Sequence, residues 1–125
     1  MRIYEFMIKN KNTSPEIIAQ KLLNELGILF TTHEKTITGT PDIFIEQLKL
    51  VIFIHGCFWH KHSCLGEKNI DEVVIKKDTI TIERVIKEGY KPIIFWECEL
   101  VNDQLATKNR LRYLVEKIKF QQQKF

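Results

Sequence analysis

Four side chains with affinity for soft metal ions fall in two segments far apart in this chain, so the fold is constrained by whether they meet. Cys57, His62 and Cys64 lie in the run His55-Gly56-Cys57-Phe58-Trp59-His60-Lys61-His62-Ser63-Cys64, and Cys98 follows in Phe95-Trp96-Glu97-Cys98. Three thiols and an imidazole make a Cys₃His set, a common composition of structural zinc sites. One zinc on all four would tie the loop after one strand to the end of another. With four protein ligands the ion has no open position, so it would act as a staple and not as a catalyst. The competing account treats Cys57 and Cys98 as small buried apolar groups. An odd cysteine count, three, suits a disulfide poorly.

The start of the chain, Met1-Arg2-Ile3-Tyr4-Glu5, lacks the apolar core of a signal peptide, and no apolar run approaches the ~18 residues of a membrane span. A cytoplasmic location is expected, where thiols stay reduced and clustered cysteines favour metal binding or catalysis. With 125 residues, 44% of them hydrophobic, the chain is expected to form one domain over 1–125 with one core. A net charge of +3 is compatible with nucleic acid and equally with ordinary surface lysines.

Thr13 with Glu16 makes a capping-box pattern, with Pro15 suited to a helix start. Ala19, Leu22, Leu23 and Leu26 recur at helical spacing, and Gly27 is the expected stop. Ile28 to Thr32 reads as a strand. Ile43-Phe44-Ile45 and Leu50-Val51-Ile52-Phe53-Ile54 read as two more, joined as a hairpin through Glu46-Gln47. The second is almost wholly apolar and should be buried on both faces. Asn69 to Glu88 reads as a helix with Val74, Ile82, Val85 and Ile86 facing the core, and Pro92 to Trp96 as a buried strand. Asn102 or Asp103 would cap a last helix with a stripe of Leu111, Leu114, Val115 and Ile118, and Gln121 to Phe125 would fray. The order αβββαβα implies a mixed sheet between helices.

Asp42 enters an apolar strand behind Gly39-Thr40-Pro41. A carboxylate there can hold a hard cation such as Mg²⁺ beside a phosphate, although aspartate after glycine and proline is also an ordinary turn residue. His55 and His60 stand at the end of the central strand, where an imidazole could take a proton from water. Asp78 could orient one of them, and Glu16 could reach the same metal through water. Phe58-Trp59 is either core packing or a flat surface for a base to stack on.

The segments Thr13-Ser14-Pro15-Glu16, Gly39-Thr40-Pro41-Asp42, Val51 to Cys64, and Gly89 to Cys98 together resemble the very-short-patch-repair (Vsr) DNA mismatch endonucleases. The resemblance runs from about Glu5 to Cys98 with a gap, and the His-Gly-Cys-Phe-Trp-His block with its distant Trp-Glu-Cys is its most specific part. It implies a restriction-endonuclease-like fold, α/β with a mixed central sheet flanked by helices, and a structural zinc. It also implies roles. Asp42 would bind Mg²⁺ directly, with the main-chain carbonyl of Ile54. Glu16 and His55 would support the metal's water shell. His60 would be the general base and Asp78 its partner. Cys57, His62, Cys64 and Cys98 would bind zinc. Phe58 and Trp59 would wedge into double-stranded DNA beside a T:G mismatch, with Lys61 and Lys77 at the DNA.

This sequence departs from the family pattern in three places. Leu65 to Lys77 is short and has no aromatic, Ile54 replaces a usual threonine, and Lys77 replaces a usual arginine. The expected function is Mg²⁺-dependent DNA endonuclease activity, nicking near a T:G mismatch. A Vsr-like restriction or defence enzyme cutting both strands is the alternative, favoured over strict mismatch repair by the missing aromatic segment. A monomer would suffice for nicking, and double-strand cutting would call for a dimer or two nicks. A non-catalytic, zinc-stapled DNA-binding module is the remaining alternative, and it would have no need of the Asp42, His55 and His60 set.

Overall fold

A computed structural model describes residues 14–57, 62–66 and 70–123. The elements run α1 (Ser14–Glu25), β1 (Thr31–Thr32), β2 (Ile43–Ile45), a 3₁₀ turn (Glu46–Leu48), β3 (Leu50–His55), a 3₁₀ turn (Ser63–Leu65), α2 (Glu72–Lys87), β4 (Lys91–Trp96), α3 (Glu97–Asn102) and α4 (Gln104–Gln122). The sheet order is β1-β2-β3-β4, antiparallel except for the parallel pair β3–β4.

β3 is the central strand, and its alternation divides the core between two faces. Leu50 and Ile52 join Ile43, Ile45, Ile93 and Phe95 against Ala19, Leu22 and Leu23 of α1, Leu100 of α3, and Leu111, Val115 and Ile118 of α4. Val51 and Phe53 face the other way, onto Ile37 and Val85, with Phe44, Ile82, Tyr90 and Ile94 around them. The same alternation carries His55 and Trp96 to the α2 face, where the register sets them opposite each other.

Several sequence expectations need correction. Of the expected strand Ile28 to Thr32 only Thr31–Thr32 pairs. Its partner β2 has three residues, so no ladder extends it, although Ile28 and Phe30 still pack on the core while Leu29 points into solvent at 78% exposure. The helix expected from Asn69 begins at Glu72 because the Asp71 carboxylate caps it, accepting from the amides of Val73 and Val74 at 3.0 and 3.4 Å. On that helix Val85 is fully buried, whereas Ile86 is 55% exposed and Val74 and Ile82 are half-buried, since among the described residues a single helix covers this face. Asp103, and not Asn102, caps the last helix, accepting from the Ala106 amide. That helix runs on through Gln121 to Gln122, whose side-chain amide donates to the Gln47 carbonyl at 3.1 Å. The short α3 had no counterpart in the expected order. Leu100, fully buried, anchors it, and the Glu99 carboxylate accepts from the Trp96 amide at 3.2 Å across its first turn. Thr13, the expected capping residue of α1, lies outside the described residues.

Candidate active site and metal centres

The soft-ligand cluster is assembled from three elements. Cys57 lies just past β3, and its carbonyl accepts from the His62 amide at 2.8 Å, closing the loop. Cys64 sits in the 3₁₀ turn, and Cys98 is the second residue of α3 rather than the end of β4. One ligand atom from each of Cys57, His62, Cys64 and Cys98 lies within 4.8 Å of all the others. The His62 ring lies flat on Trp96, with centroids 4.0 Å apart and planes 12° from parallel, and its Nδ1 is 3.6 Å from Cys98 Sγ. Loss of hydration, then the neighbouring thiols of Cys57 and Cys98, push the Cys64 thiol up to about 12. Desolvation and then Cys57 raise Cys98 as well. Three thiolates side by side would repel one another, and a bound divalent metal would reverse the effect by deprotonating its thiols. A closed three-sulfur, one-nitrogen set of this kind suits a structural zinc.

A second group of potential ligands forms where α1, the end of β1 and the start of β2 converge. Glu16, His33 and Asp42 each offer an atom within 4.8 Å of the others. The Asp42 carboxylate accepts from the Ile54 amide at 2.6 Å. In a strand the amide and carbonyl of one residue lie on the same edge, so the Ile54 carbonyl also faces the Asp42 side. Burial raises the Asp42 carboxyl above its ordinary range, and the Ile54 amide opposes the rise. Glu16 is raised too, first by burial and then by the Asp42 charge, with His33 opposing through a 3.1 Å contact. Two carboxylates crowded into a partly dry site are a natural seat for a divalent cation.

Local backbone geometry sets up this corner. Gly39 takes φ +78°, and a Cβ there would lie 2.6 Å from Thr81 Cγ2 and 3.1 Å from Phe53 Cε1. Only glycine therefore allows the loop before Asp42 to lie against α2 and β3. Thr40 also has positive φ, and buried Pro41 then leads Asp42 into β2.

On the α2 face His55 is buried, with Nδ1 3.9 Å from Asp78 Oδ2 and its ring edge-on to Trp96 at 5.1 Å. Asp42 reaches the amide of the residue just before His55, so the two groups flank one turn of backbone. A cleft of about 460 Å³ opens here, walled by His55, His62, Asp78, Ile82 and Trp96 among others. Lys77, beside Asp78, is exposed on α2. Phe58, Trp59, His60 and Lys61 lie outside the described residues, and with them the expected base, wedge and one expected DNA contact.

His33 is the residue that sequence reasoning overlooked. Its signal was the strand register: pairing Thr32 with Ile43 carries His33 opposite Asp42, and the His33 amide donates to the Asp42 carbonyl at 3.1 Å.

Comparisons with known proteins agree on one family. A family model described as DNA mismatch endonuclease Vsr matches residues 4–66. The type II nicking enzyme V.NmeAIP of Neisseria meningitidis serogroup A is 39% identical over 123 residues, covering 90% of this chain and 86% of its own. The DNA mismatch endonuclease Vsr of Escherichia coli K12 is 29% identical over 119 residues, covering 87% and 76% respectively. Among solved structures, the catalytic domain of homing endonuclease I-Bth0305I superposes with a TM-score of 0.66 at 22% identity, covering 85% of this chain and 97% of that one. That likeness concerns the fold, which is restriction-endonuclease-like: a mixed sheet flanked by helices.

Proposed function

Because the chain belongs to the Vsr family of DNA mismatch endonucleases, we propose that it nicks one strand of duplex DNA beside a T:G mismatch, using a divalent cation seated at Asp42. The observation that carries this reading is the Asp42 carboxylate, fixed on the Ile54 amide and crowded by Glu16 at the end of the central strand. A divalent cation, Mg²⁺ in the first instance, supplies polarisation of the phosphodiester and stabilisation of charge on the leaving oxygen. Asp42 holds its carboxylate at a fixed point, and Glu16 keeps the corner anionic. His55 lies beside both Asp42's anchor and Asp78, and orders water at the site. His60 takes the proton from the attacking water. Asp78 would serve as the partner of His60, and its Oδ2 also lies 3.9 Å from His55 Nδ1. Phe58 and Trp59 wedge into the stack, which is cheapest at a weakened pair, and Lys61 and Lys77 meet phosphates.

Cys57, His62, Cys64 and Cys98 hold a structural zinc that keeps the loop between β3 and α2 rigid. A cytoplasmic location, where thiols stay reduced, suits such a site. The relatives named nicking enzymes support single-strand cleavage, for which a monomer is enough, over the double-strand alternative. The test is digestion of matched and T:G-mismatched duplexes with Mg²⁺, read on denaturing and native gels. Nicks confined to mismatched duplex, lost in Asp42→Ala and reduced about 10²–10⁴-fold in His60→Ala, are expected. Cleavage by Asp42→Ala at the parent rate overturns the reading.

A further inference from the structure

We propose that His33 is a direct ligand of the cation at Asp42 and Glu16, and that its nitrogen biases this centre toward Mn²⁺ over Mg²⁺. The inference rests on the metal-site reading above and concerns which ion the site prefers.

Three observations converge on His33. Its ring faces the other two groups: Nε2 is 3.1 Å from Glu16 Oε2, and its ligand atom lies within 4.8 Å of one on Asp42. Its main chain is fixed to the same residue, the amide donating to the Asp42 carbonyl at 3.1 Å. Its backbone is held at φ +53°, in the left-handed region, which few residues other than glycine occupy, histidine among the more frequent of them. Strain of this kind persists where the surroundings over-determine a conformation, and it clusters at functional sites. Here it turns the chain out of β1 at the one point from which an imidazole reaches both carboxylates.

Ligand chemistry then decides the ion. Mg²⁺ demands oxygen ligands in near-ideal octahedra and retains its waters, so an imidazole in the set gives it little. Imidazole suits later divalent metals, and affinity for a mixed nitrogen and oxygen site rises from Mn²⁺ along the first row. Of these, Mn²⁺ keeps the carboxylate affinity and open octahedral geometry that a phosphodiester cut requires. The His33 side chain is 25% exposed, so the site is open to solvent on its side.

The experiment uses the full chain, zinc-loaded and then freed of other divalent ions. Mn²⁺ is titrated by electron paramagnetic resonance, Mg²⁺ by competition, and bound Mn²⁺ is examined for nitrogen modulation of its spin echo. The parent should bind Mn²⁺ roughly tenfold or more tighter than Mg²⁺, and show the nitrogen signal. His33→Asn, which keeps a residue tolerant of positive φ, should lose the signal and weaken Mn²⁺ binding by roughly tenfold or more, the scale on which metal centres respond to lost support. Its Mg²⁺ affinity should change less. No nitrogen signal in the parent, or a signal and Mn²⁺ affinity unchanged in His33→Asn, overturns the proposal. Asp42→Asn separates the two levels. If it too binds Mn²⁺ as the parent does, the metal-site reading fails; if it alone loses binding, only the role of His33 fails.

Discussion

Asp42→Asn should abolish cleavage and, in the absence of divalent ions, make the protein more stable. The native state forces two carboxylates together at the end of the sheet, each raised above its ordinary pKa chiefly by burial. At a separation of up to 4.8 Å two like charges repel by about 1 kcal/mol in water and by about 3–4 kcal/mol at the effective dielectric of a protein surface. The His33 ring 3.1 Å from Glu16 offsets part of this, which discounts the repulsion to about 2 kcal/mol. Asparagine keeps an acceptor for the Ile54 amide but loses the charge on that 2.6 Å bond, a loss of about 1 kcal/mol. The net gain is about 1 kcal/mol, or about 3–6 °C in melting temperature for a chain of this size.

The sign with pH follows from the raised pKa values. A carboxylate whose folded pKa is raised favours folding below its unfolded pKa, and that contribution is lost as pH rises through the folded pKa. The advantage of Asp42→Asn should therefore be present at pH 7.5 and shrink as the buffer is taken toward pH 4. Thermal melts followed by circular dichroism, with zinc-loaded protein and no other divalent ion, measure it. Added Mn²⁺ should raise the parent's melting temperature and leave the variant's nearly unchanged. A variant that melts below the parent at pH 7.5, or by the same margin above it at pH 4, refutes the repulsion argument.

Gly39→Ala should destabilise by about 2 kcal/mol, since it combines a left-handed backbone with a 2.6 Å overlap on Thr81 Cγ2; Thr81→Ser, which removes that methyl, should restore part of the loss in chemical denaturation, and a neutral Gly39→Ala would show that the loop relaxes freely. Cys98→Ala should lower zinc content from about one ion per chain, measured by elemental analysis, and loosen the loop between β3 and α2 to limited proteolysis; full zinc retention would remove Cys98 from the ligand set. Phe58→Ala combined with Trp59→Ala should weaken binding to mismatched duplex while leaving zinc content and melting temperature nearly unchanged, whereas a large drop in melting temperature with unaltered DNA affinity would make the pair core.

The central hairpin, the strand from Pro92 to Trp96 and the stripe of Leu111, Val115 and Ile118 were legible in the sequence because each is a strong apolar pattern flanked by turn residues. The Cys/His cluster was legible because its chemistry is dense and local. What escaped was decided by tertiary geometry. His33 carries no local motif and gains its place only from the β1–β2 register and a positive φ. The segment Glu97–Asn102 is too short to show a period, and its helix is set by one buried leucine, Leu100. Ile86 fits the apolar period of α2 yet is 55% exposed, because nothing among the described residues packs over that side.

The pairing of His55 with Trp96 across the parallel strands limits how such an enzyme can diversify. Side chains alternate along β3 and β4, so inserting or deleting one residue in either strand would send His55 or Trp96 to the opposite face, into the apolar layer held by α1 and α4. The floor under the cleft would vanish, along with the surface on which His62 rests. Strand lengths are therefore locked, and innovation is confined to the connections that leave the sheet. The link from the cysteine cluster to α2 borders the cleft through Ser63 and Ile70 and can lengthen or shorten without shifting that register. New DNA preferences should accumulate there as changes of length as well as of sequence.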